Sequence, residues 1–250
     1  MNKVSVVTGA GTGLGRALVL ALAGSGRRVL ALGRRPAPLE SLKSEDPDRI
    51  DIVSADVSSA AGRAAIDSAI APGTAVEFLV HNAGVLEPVA PLAEVSLEDW
   101  RRIQAINVEG PLFVTQKLLP RLGGGRILHI SSGAAHHAYA GWGAYCASKA
   151  ALHMIYLVYR EELHAAGVAI GSLRPGVVDT PMQERVRAAD PRVFPRLQRF
   201  VDLKSGGGLH AAEDVANFIV QLLTSTDDRE FSAEEWYFDR DRDRFASSPS

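Results

Sequence analysis

The stretch VSVVTGAGTGLGRAL, residues 4–18, decides the fold class of this chain. A short run of β-branched and small residues is followed by a glycine-rich turn and then by a helical pattern. Such a turn presents backbone N–H groups at a helix N-terminus, where a phosphate can bind. The spelling is not G-x-G-x-x-G, because a count from Gly9 ends on Leu14 and a count from Gly11 ends on Arg16. The turn by itself leaves two interpretations open, a nucleotide site and a tight connection.

Short apolar runs and longer helical patterns alternate along the rest of the chain. Runs such as VLAL, FLV and RILHI are typical of strands buried on both faces of a parallel sheet. This alternation favours a doubly wound α/β sheet, and no break in composition divides residues 1–250 into two domains. The predicted strands are Lys3–Thr8, Arg28–Leu32, Ile50–Ser54, Val76–His81, Gly125–Ser131 and Val168–Leu173, and the predicted helices cover about 13–26, 59–71, 96–122 and 143–166.

Two further segments lack this regular pattern. Residues 181–210 mix Pro, Arg and Gly without a strand signal, which predicts an irregular or helical flap on the substrate side of a site. Residues 239–250, DRDRDRFASSPS, are highly charged and then small and polar, which predicts a flexible tail.

The composition argues against several classes of protein. The 250 residues are 46% hydrophobic, and the formal net charge of -2 with a pI near 6.4 gives no sign of a nucleic acid or an anionic membrane as partner. The N-terminal apolar run ends after four residues, too short for a signal peptide, and no other run has the length of a transmembrane helix. One cysteine, Cys146, excludes an internal disulfide. We expect a cytoplasmic protein that binds neither membranes nor nucleic acids.

The opening stretch fits the pattern T-G-x-x-x-G-x-G, from Thr8 to Gly15, and on this basis the chain resembles the short-chain dehydrogenase/reductase family. The later motifs of that family follow in order: Asp56-Val57, His81-Asn82-Ala83-Gly84, Asn107, Ser131-Ser132, Tyr145-x-x-x-Lys149 and Pro175-Gly176. His81 departs from the family, which has Asn there. The resemblance covers about residues 3–180. It implies a single-domain, Rossmann-type doubly wound parallel sheet of about seven strands with helices on both faces.

The resemblance also implies a nicotinamide dinucleotide. In NAD enzymes an acid near the end of the second strand binds the ribose 2′-OH, and that acid would repel a 2′-phosphate. Here the strand ends in ALGRRP, where Arg34 and Arg35 can hold such a phosphate, unless both are solvated loop residues. The sequence therefore predicts NADP(H). The predicted cofactor-binding residues are Gly9, Thr12, Gly13, Leu14, Gly15, Arg34, Arg35, Asp56, Val57, Asn82, Ala83, Gly84, Tyr145, Lys149, Pro175, Gly176, Val178 and Thr180.

Tyr145 and Lys149 lie one helical turn apart in GWGAYCASKAALHM, residues 141–154, so both project from one face of a helix. A tyrosine has an ordinary pKa of about 10, and a nearby ammonium group favours the phenolate and lowers that pKa. The pair predicts that Tyr145 exchanges a proton with a carbonyl oxygen, tuned by Lys149. The same spacing is common on ordinary helices, so the prediction depends on the surrounding motifs.

The family resemblance assigns two further catalytic roles. Ser132, thirteen positions before Tyr145, would hydrogen-bond the substrate oxygen, and Ser131 would miss that spacing by one. Asn107 would hold a water that links Lys149 to solvent.

Other candidate residues have two interpretations. Thr180 is placed for the cofactor, but it is also a good helix N-cap before Pro181. Trp142 would line the substrate pocket or simply pack, and Met182 is a second pocket candidate. The seven histidines form no H-E-x-x-H or similar cluster, which predicts surface or pocket-rim residues and no metal.

Within the family, the chain is most similar to the sepiapterin reductase and benzil reductase group. In FSAEEWYFD, residues 231–239, Trp236 falls near the Asp that anchors the pterin in animal sepiapterin reductases, although Asp239 is close, so pterin is disfavoured. We expect an NADPH-dependent reductase of a ketone or vicinal dicarbonyl. The alternatives are an alcohol dehydrogenase acting oxidatively and a non-catalytic NADP(H) sensor.

The resemblance also implies assembly. Family members form dimers or tetramers through the fourth and fifth helices, here about 96–122 and 143–166. Leu157, Val158 and Tyr159 add apolar surface beyond one helix face. We expect a homodimer or homotetramer.

Overall fold

The apolar runs of the sequence form one parallel sheet in the computed structural model, which describes residues 2–245. Its seven strands lie in the order β3-β2-β1-β4-β5-β6-β7. They are β1 (Lys3–Thr8), β2 (Val29–Gly33), β3 (Ile50–Ser54), β4 (Ala75–His81), β5 (Arg126–Ile130), β6 (Ala169–Arg174) and β7 (Trp236–Tyr237). The predicted doubly wound parallel sheet is confirmed, and the six predicted strands agree with it to within one residue at each end. The two-residue strand β7 has too short a pattern to be found in the sequence.

Helices cover both faces of the sheet. They are α1 (Gly13–Gly24), α2 (Pro36–Glu45), α3 (Ala60–Ser68), α4 (Leu97–Gln104), α5 (Gly110–Leu118), α6 (Gly143–Leu163), α7 (Pro181–Arg187), α8 (Leu197–Ser205), α9 (Ala212–Ser225), α10 (Asp228–Ala233) and α11 (Phe238–Asp241). Leucines of α1, α2 and α9 pack on one face, and apolar residues of α3, α5 and α6 pack on the other. Each fully buried leucine or isoleucine in these layers stabilises the fold by about 1.5–3 kcal/mol relative to exposure.

The predicted helix over 96–122 is interrupted. Helix α4 ends at Gln104, a π-helical turn covers Ala105–Glu109, and α5 continues from Gly110 with Pro111 in its first turn. A wide turn of this kind inside a helix is frequent at functional sites. Here it places the side chain of Asn107 inside the molecule, where it is fully buried.

Helices α2, α9 and the short α10 were not predicted. Helix α2 has the sequence PAPLESLKSE, and its two prolines are typical of a loop. Pro36, however, occupies the first helical position, where the N–H that proline lacks would have no partner within the helix. Helix α9 is held by an apolar stripe that includes Val215, Ile219 and Leu222, packed against α1.

The predicted flap, residues 181–210, consists of α7, α8 and the turns between and after them. The predicted flexible tail begins at Asp239, but the structure has helical turns from Phe238 to Phe245. Asp241 is buried there, and its Oδ2 accepts a hydrogen bond from Tyr237 N at 2.8 Å. That hydrogen bond fixes the start of the segment, and residues 246–250 lie outside the described part of the chain.

The strand order fixes where a ligand can bind. Strand β1 pairs with β2 on one side and with β4 on the other, so the chain leaves β1 in one direction and returns on its opposite side. In an open parallel sheet, the carboxyl ends of strands at such a reversal border a crevice. None of the helices in residues 2–245 has the length and hydropathy of a membrane span.

Candidate active site

A cavity of about 1140 Å³ opens at the carboxyl ends of β1, β4, β5 and β6. Its wall contains every residue that the sequence predicted for cofactor binding, together with Ser132, Tyr145, Lys149, Trp142 and Met182. Asn107 is the predicted site residue that does not reach this wall among the described residues. The cavity runs from the glycine-rich turn and Arg34 at one end, called here the cofactor end, to the flap and β7 at the other, called here the substrate end.

The glycine-rich turn at the cofactor end requires glycines. Gly9 has a φ of 67°, and a Cβ there would lie 2.8 Å from Ala83 Cα. A Cβ on Gly15 would collide with the carbonyl oxygen of Gly9. Thr12 precedes helix α1, and its side chain makes no capping hydrogen bond within residues 2–245, so the first N–H groups of the helix are free for an anion. The turn therefore fits a pyrophosphate.

Side chains after β4 brace this turn. Asn82 Nδ2 donates to the carbonyl oxygens of Thr8 and Gly9, at 3.0 and 3.1 Å. Thr8 Oγ1 accepts from the backbone N–H groups of Asn82 and Ala83, at 3.1 and 3.0 Å. Both amide hydrogens of Asn82 are used inside the protein, so its contribution to binding is to hold the turn and leave Oδ1 as acceptor.

Two arginines follow β2 on the cavity wall. Arg34 and Arg35 are exposed, and within residues 2–245 neither forms an ion pair with a carboxylate. Burial alone would raise the pKa of Asp56, but hydrogen bonds from Ser58 and the charge of Arg34 hold it below the ordinary value. The arginines therefore remain available to a phosphate, with Arg34 nearer to Asp56.

Tyr145 and Lys149 are both buried on the face of α6 that borders the cavity. Lys149 Nζ donates to Ile130 O at 2.8 Å and lies 5.8 Å from the centre of the Tyr145 ring. Burial raises the pKa of Tyr145 to about 12, and a polar contact with Ser132 opposes that shift. Burial lowers the pKa of Lys149 to about 8. The prediction of a lowered pKa for Tyr145 is therefore wrong for this structure, because burial is the largest effect on the phenol and the opposing effect comes from Ser132.

Ser132 follows β5, with its hydroxyl beside Tyr145. Its Oγ accepts a hydrogen bond from Ala134 N at 3.1 Å, which leaves its hydrogen to donate to a ligand.

Asn107 is fully buried next to the residues that form the cavity wall. Its Oδ1 accepts from Val85 N at 2.8 Å, and its Nδ2 donates to Val85 O and Ser148 Oγ at 2.8 and 2.9 Å. A Cβ on Gly84 would lie 3.5 Å from Asn107 Oδ1 and 3.8 Å from Lys149 Nζ, so both atoms face the same space. The remaining lone pair of Oδ1 can hold a relay water there, as the resemblance implies.

The loop after β6 closes the middle of the cavity. Val178 forms a parallel bridge with His210, and Thr180 touches the turn, since a Cβ on Gly13 would lie 2.9 Å from its Cγ2. Thr180 does occupy the N-cap position of α7, but its side chain makes no capping hydrogen bond among the described residues. Both interpretations of Thr180 therefore hold in part, because its backbone starts the helix while its hydroxyl is free for a ligand.

The substrate end is lined by aromatic side chains. The Trp142 ring lies 5.9 Å from the Tyr145 ring, 5.1 Å from the Tyr139 ring and 5.3 Å from the Phe200 ring. It also stacks on Phe194 at 4.7 Å, which is fully buried. Trp142 therefore both packs and lines the pocket.

The sequence did not predict several residues at the substrate end. Arg196, Arg199 and His210 reach it from the flap, and Tyr237 reaches it from β7. Their only signal was the unusual composition of these segments. Asp239 lies on the wall, bonded to His210, whereas Trp236 is buried in the core, so the wall of the cavity does carry an acid in this region.

A half-buried carboxylate, Glu235, lies near two histidines. The Glu235 carboxylate accepts a hydrogen bond from Ser172 Oγ at 2.8 Å and lies 2.6 Å from His136 Nε2. His153 Nδ1 and Arg174 Nε lie 3.3 and 3.4 Å from the same carboxylate. Ligand atoms of His136, His153 and Glu235 lie within 4.8 Å of one another, contrary to the prediction that the histidines do not cluster. The charge of Arg174 on the same carboxylate disfavours a cation, so we interpret the group as an ion-pair cluster.

His81, the departure from the family motif, has a partner across the sheet. It pairs in register with His129 of β5, and its Nε2 lies 2.8 Å from Thr115 Oγ1. Burial, together with the neighbouring His129, holds the pKa of His81 well below the ordinary value. The position therefore belongs to the core beneath the cavity.

Comparison with known proteins finds similar sequences and a similar fold. The family model described as short chain dehydrogenase matches residues 3–191. A benzil reductase ((S)-benzoin forming) of Bacillus subtilis is 31% identical over 229 residues, which are 88% of this chain and 93% of that protein. An NADP-dependent 3-hydroxy acid dehydrogenase of Escherichia coli (strain K12) is 34% identical over 182 residues, 70% of this chain and 72% of that protein. The crystal structure of the KRED1-Pglu enzyme superposes with a TM-score of 0.87 at 31% identity, covering 94% of this chain and 100% of that one.

Proposed function

Because the chain belongs to the short-chain dehydrogenase/reductase family, whose members are oxidoreductases acting on CH–OH and C=O groups, we propose that it is an NADPH-dependent carbonyl reductase. Its substrate is a ketone or a vicinal dicarbonyl of the benzil or sepiapterin kind. The observation that carries the proposal is the buried phenol of Tyr145, which lies between the cofactor end and the aromatic substrate end of one cavity. A bound nicotinamide cofactor supplies the hydride.

The protein's own residues manage the proton. With a pKa raised to about 12, Tyr145 is a neutral phenol at physiological pH and can donate its hydrogen to the alkoxide that develops on a reduced carbonyl. Ser132 can donate its free hydrogen to the same oxygen and hold it in place. Lys149, whose pKa is lowered to about 8, gains and loses a proton close to physiological pH and can return one to Tyr145.

The choice of NADPH rests on the two arginines after β2. The carboxylate that would bind a ribose 2′-OH is replaced there by Arg34 and Arg35, and a guanidinium binds a phosphate through paired hydrogen bonds. The name of the Escherichia coli relative also specifies NADP. The glycines at positions 9, 13 and 15 leave room for the pyrophosphate.

The first experiment measures NADPH consumption by the purified protein against benzil and other vicinal diketones, sepiapterin, simple ketones and quinones, with NADH in parallel. We expect turnover of diketones with NADPH and much slower turnover with NADH. Tight NADPH binding without turnover of any carbonyl compound would contradict the reductase function and favour a non-catalytic NADP(H) sensor.

A second candidate function is the oxidation of an alcohol by the same residues. The names of two relatives, the 3-hydroxy acid dehydrogenase and a serine 3-dehydrogenase of Agrobacterium fabrum, describe dehydrogenases. Serine and hydroxy acids are carboxylates, and the substrate end of this cavity contains arginines. NADP⁺ reduction with 3-hydroxy acids and serine, measured beside the ketone panel, distinguishes the two directions.

We also propose a homodimer or homotetramer built on α5 and α6. Met154 and Val158 lie one turn apart on α6 and are exposed, as is Phe113 on α5. Of the apolar residues expected on this surface, Leu157 is only half-buried, but Tyr159 is buried in the protein's own core. Sedimentation at micromolar concentration tests the assembly, and a monomer there would contradict it.

A further inference from the structure

Two arginines of the flap line the substrate end of the cavity and, among residues 2–245, have no acidic partner. Among residues 2–245, the guanidinium groups of Arg196 and Arg199 form no ion pair and no hydrogen bond. The other cations of the flap are all paired: Arg185 with Glu87, Arg187 and Lys204 with Asp179, and Arg192 with Asp190. The flap therefore neutralises its cations except for two that line the cavity.

An aromatic path connects these arginines to the reacting position. The Tyr145 ring contacts the Trp142 ring, which in turn contacts Tyr139 and Phe200. The guanidinium of Arg196 lies over the Tyr139 ring, 4.6 Å from its centre. Stacking on an aromatic ring restricts an arginine side chain before a ligand arrives, which lowers the entropy lost on binding. A ligand can place a carbonyl at Tyr145, an apolar body along Trp142 and a polar group at Arg196.

The acidic residues on the other side of the substrate end do not pair with Arg196 or Arg199 within residues 2–245. Asp239 is bonded to His210, and its hydrogen bond with Tyr237 raises the pKa of that phenol, while the charges of Arg174 and Arg199 oppose the shift. Asp239 is therefore already engaged, and Arg174 is paired with Glu235. The remaining acid on the cavity wall at this end is Glu184 of α7, one negative charge against two unpaired arginines.

We propose that the substrate is an aromatic or otherwise apolar ketone that carries a carboxylate, with its carbonyl at Tyr145 and its carboxylate between Arg196 and Arg199. The inference rests on the carbonyl reductase function proposed above and narrows its substrate class. Arg196 directly precedes α8 and Arg199 lies in its first turn, so the two side chains are three residues apart at one end of the helix. A guanidinium binds a carboxylate through paired, planar hydrogen bonds. The apolar part of the substrate accounts for the aromatic wall, and the carboxylate accounts for the unpaired arginines.

The test compares aryl keto acids with their methyl esters, which keep the ketone and the aryl group but lack the charge. In a series of keto acids with increasing numbers of methylene groups between ketone and carboxylate, the acid with the highest kcat/KM indicates the distance from Tyr145 to the arginines. We expect the native protein to prefer the acid over the ester in kcat/KM. In Arg196→Gln and in Arg199→Gln the acid-to-ester ratio should fall about tenfold, since each loses a charge-assisted hydrogen bond. Arg192→Gln, on the same flap but paired with Asp190 and off the cavity wall, is the matched control.

Binding is measured separately by calorimetry, with Tyr145→Phe protein saturated with NADPH and each aryl keto acid of the series as titrant. A ratio that stays unchanged in the Arg196→Gln/Arg199→Gln double variant, or an ester used as well as its acid, overturns the carboxylate site while the reductase function stands. If no ketone is turned over yet the acid binds and the double variant abolishes that binding, the reductase function fails and the carboxylate site stands. If the acid does not bind either, both fail.

Discussion

The two ends of the cavity are built from different parts of the chain. The cofactor end is mostly backbone: glycines at tight approaches, free N–H groups at the start of α1, and an asparagine that braces the turn. The substrate end is mostly side chain, with rings and guanidinium groups contributed by the loop before α6, the flap and the segment around β7. At the cofactor end, backbone geometry restricts which ligand can bind. At the substrate end, side chains can be substituted without disturbing the sheet. We expect substitutions at the substrate end to change which carbonyl is used and those at the cofactor end to change cofactor affinity.

Tyr145 belongs to neither end, and its replacement should have the largest effect. In Tyr145→Phe the ring remains but the proton donor is lost, so we expect kcat to fall by roughly 10²–10⁴. The Kd for NADPH should be almost unchanged, because the turn and the arginines are intact. Stopped-flow or steady-state turnover and fluorescence titration with NADPH measure the two quantities.

Retained turnover in Tyr145→Phe would remove the proton-donor role. A matched control is Tyr156→Phe, on the same helix but fully buried in the core and not part of the cavity wall. That variant should keep its activity when compared at equal folded fraction.

Arg34→Asp tests the cofactor end and should have the next largest effect. The change replaces a cation with the acid that NAD enzymes carry, so KM for NADPH should rise roughly a hundredfold while KM for NADH changes little or improves. Arg35→Asp is the neighbouring control and should show a smaller effect, because Arg34 is the residue whose charge acts on Asp56 in the cavity wall. Equal losses for both cofactors would mean that the 2′-phosphate is bound elsewhere.

The contrast between the two ends also explains what the sequence could predict. The glycine-rich turn, Ser132, Tyr145 and Lys149 have fixed spacings, because each follows a strand or occupies one helix face, so a short pattern contains the geometry. Arg196, Arg199, His210 and Asp239 meet only after the flap and β7 fold back over the sheet, and no local pattern encodes that approach. The sequence also could not predict the pKa of Tyr145, because that pKa depends on how deeply the folded chain buries the phenol and on the hydrogen bond with Ser132.

The pH dependence of reduction tests the junction between the two ends. Lys149, with its pKa lowered to about 8 by burial, is a cation below that pH and neutral above it, while Tyr145 stays protonated throughout this range. If the ammonium supplies the proton that restores Tyr145 after each turnover, kcat should fall about tenfold per pH unit above pH 8. In Lys149→Arg, whose side chain does not titrate here, activity should be lower but its descending limb should disappear. A limb that persists in this variant would assign the titration to another group.

The smallest effect at neutral pH is expected from the histidine pair beneath both ends. Burial, with the charge of Lys149, lowers the pKa of His129 to about 3, and burial lowers that of His81 well below 6.5. Between pH 6.5 and about 3 the unfolded chain therefore binds more protons than the folded one. The contribution of these histidines to the free energy of unfolding is fully present above pH 6.5. As the pH decreases below 6.5, the free energy of unfolding decreases by up to about 1.4 kcal/mol per pH unit for each histidine.

His129→Leu removes one of these titrations, so its loss of stability from pH 7.5 to pH 5 in urea titrations should be smaller than that of the native protein. His164→Gln, at an exposed position after α6, is the control and should follow the native curve. Because the pair lies in the strands that carry both ends of the cavity, NADPH and keto acid binding should weaken at the same acidic pH. Loss of one ligand well before the other would show that the two ends unfold independently, and that the division between them extends into the sheet itself.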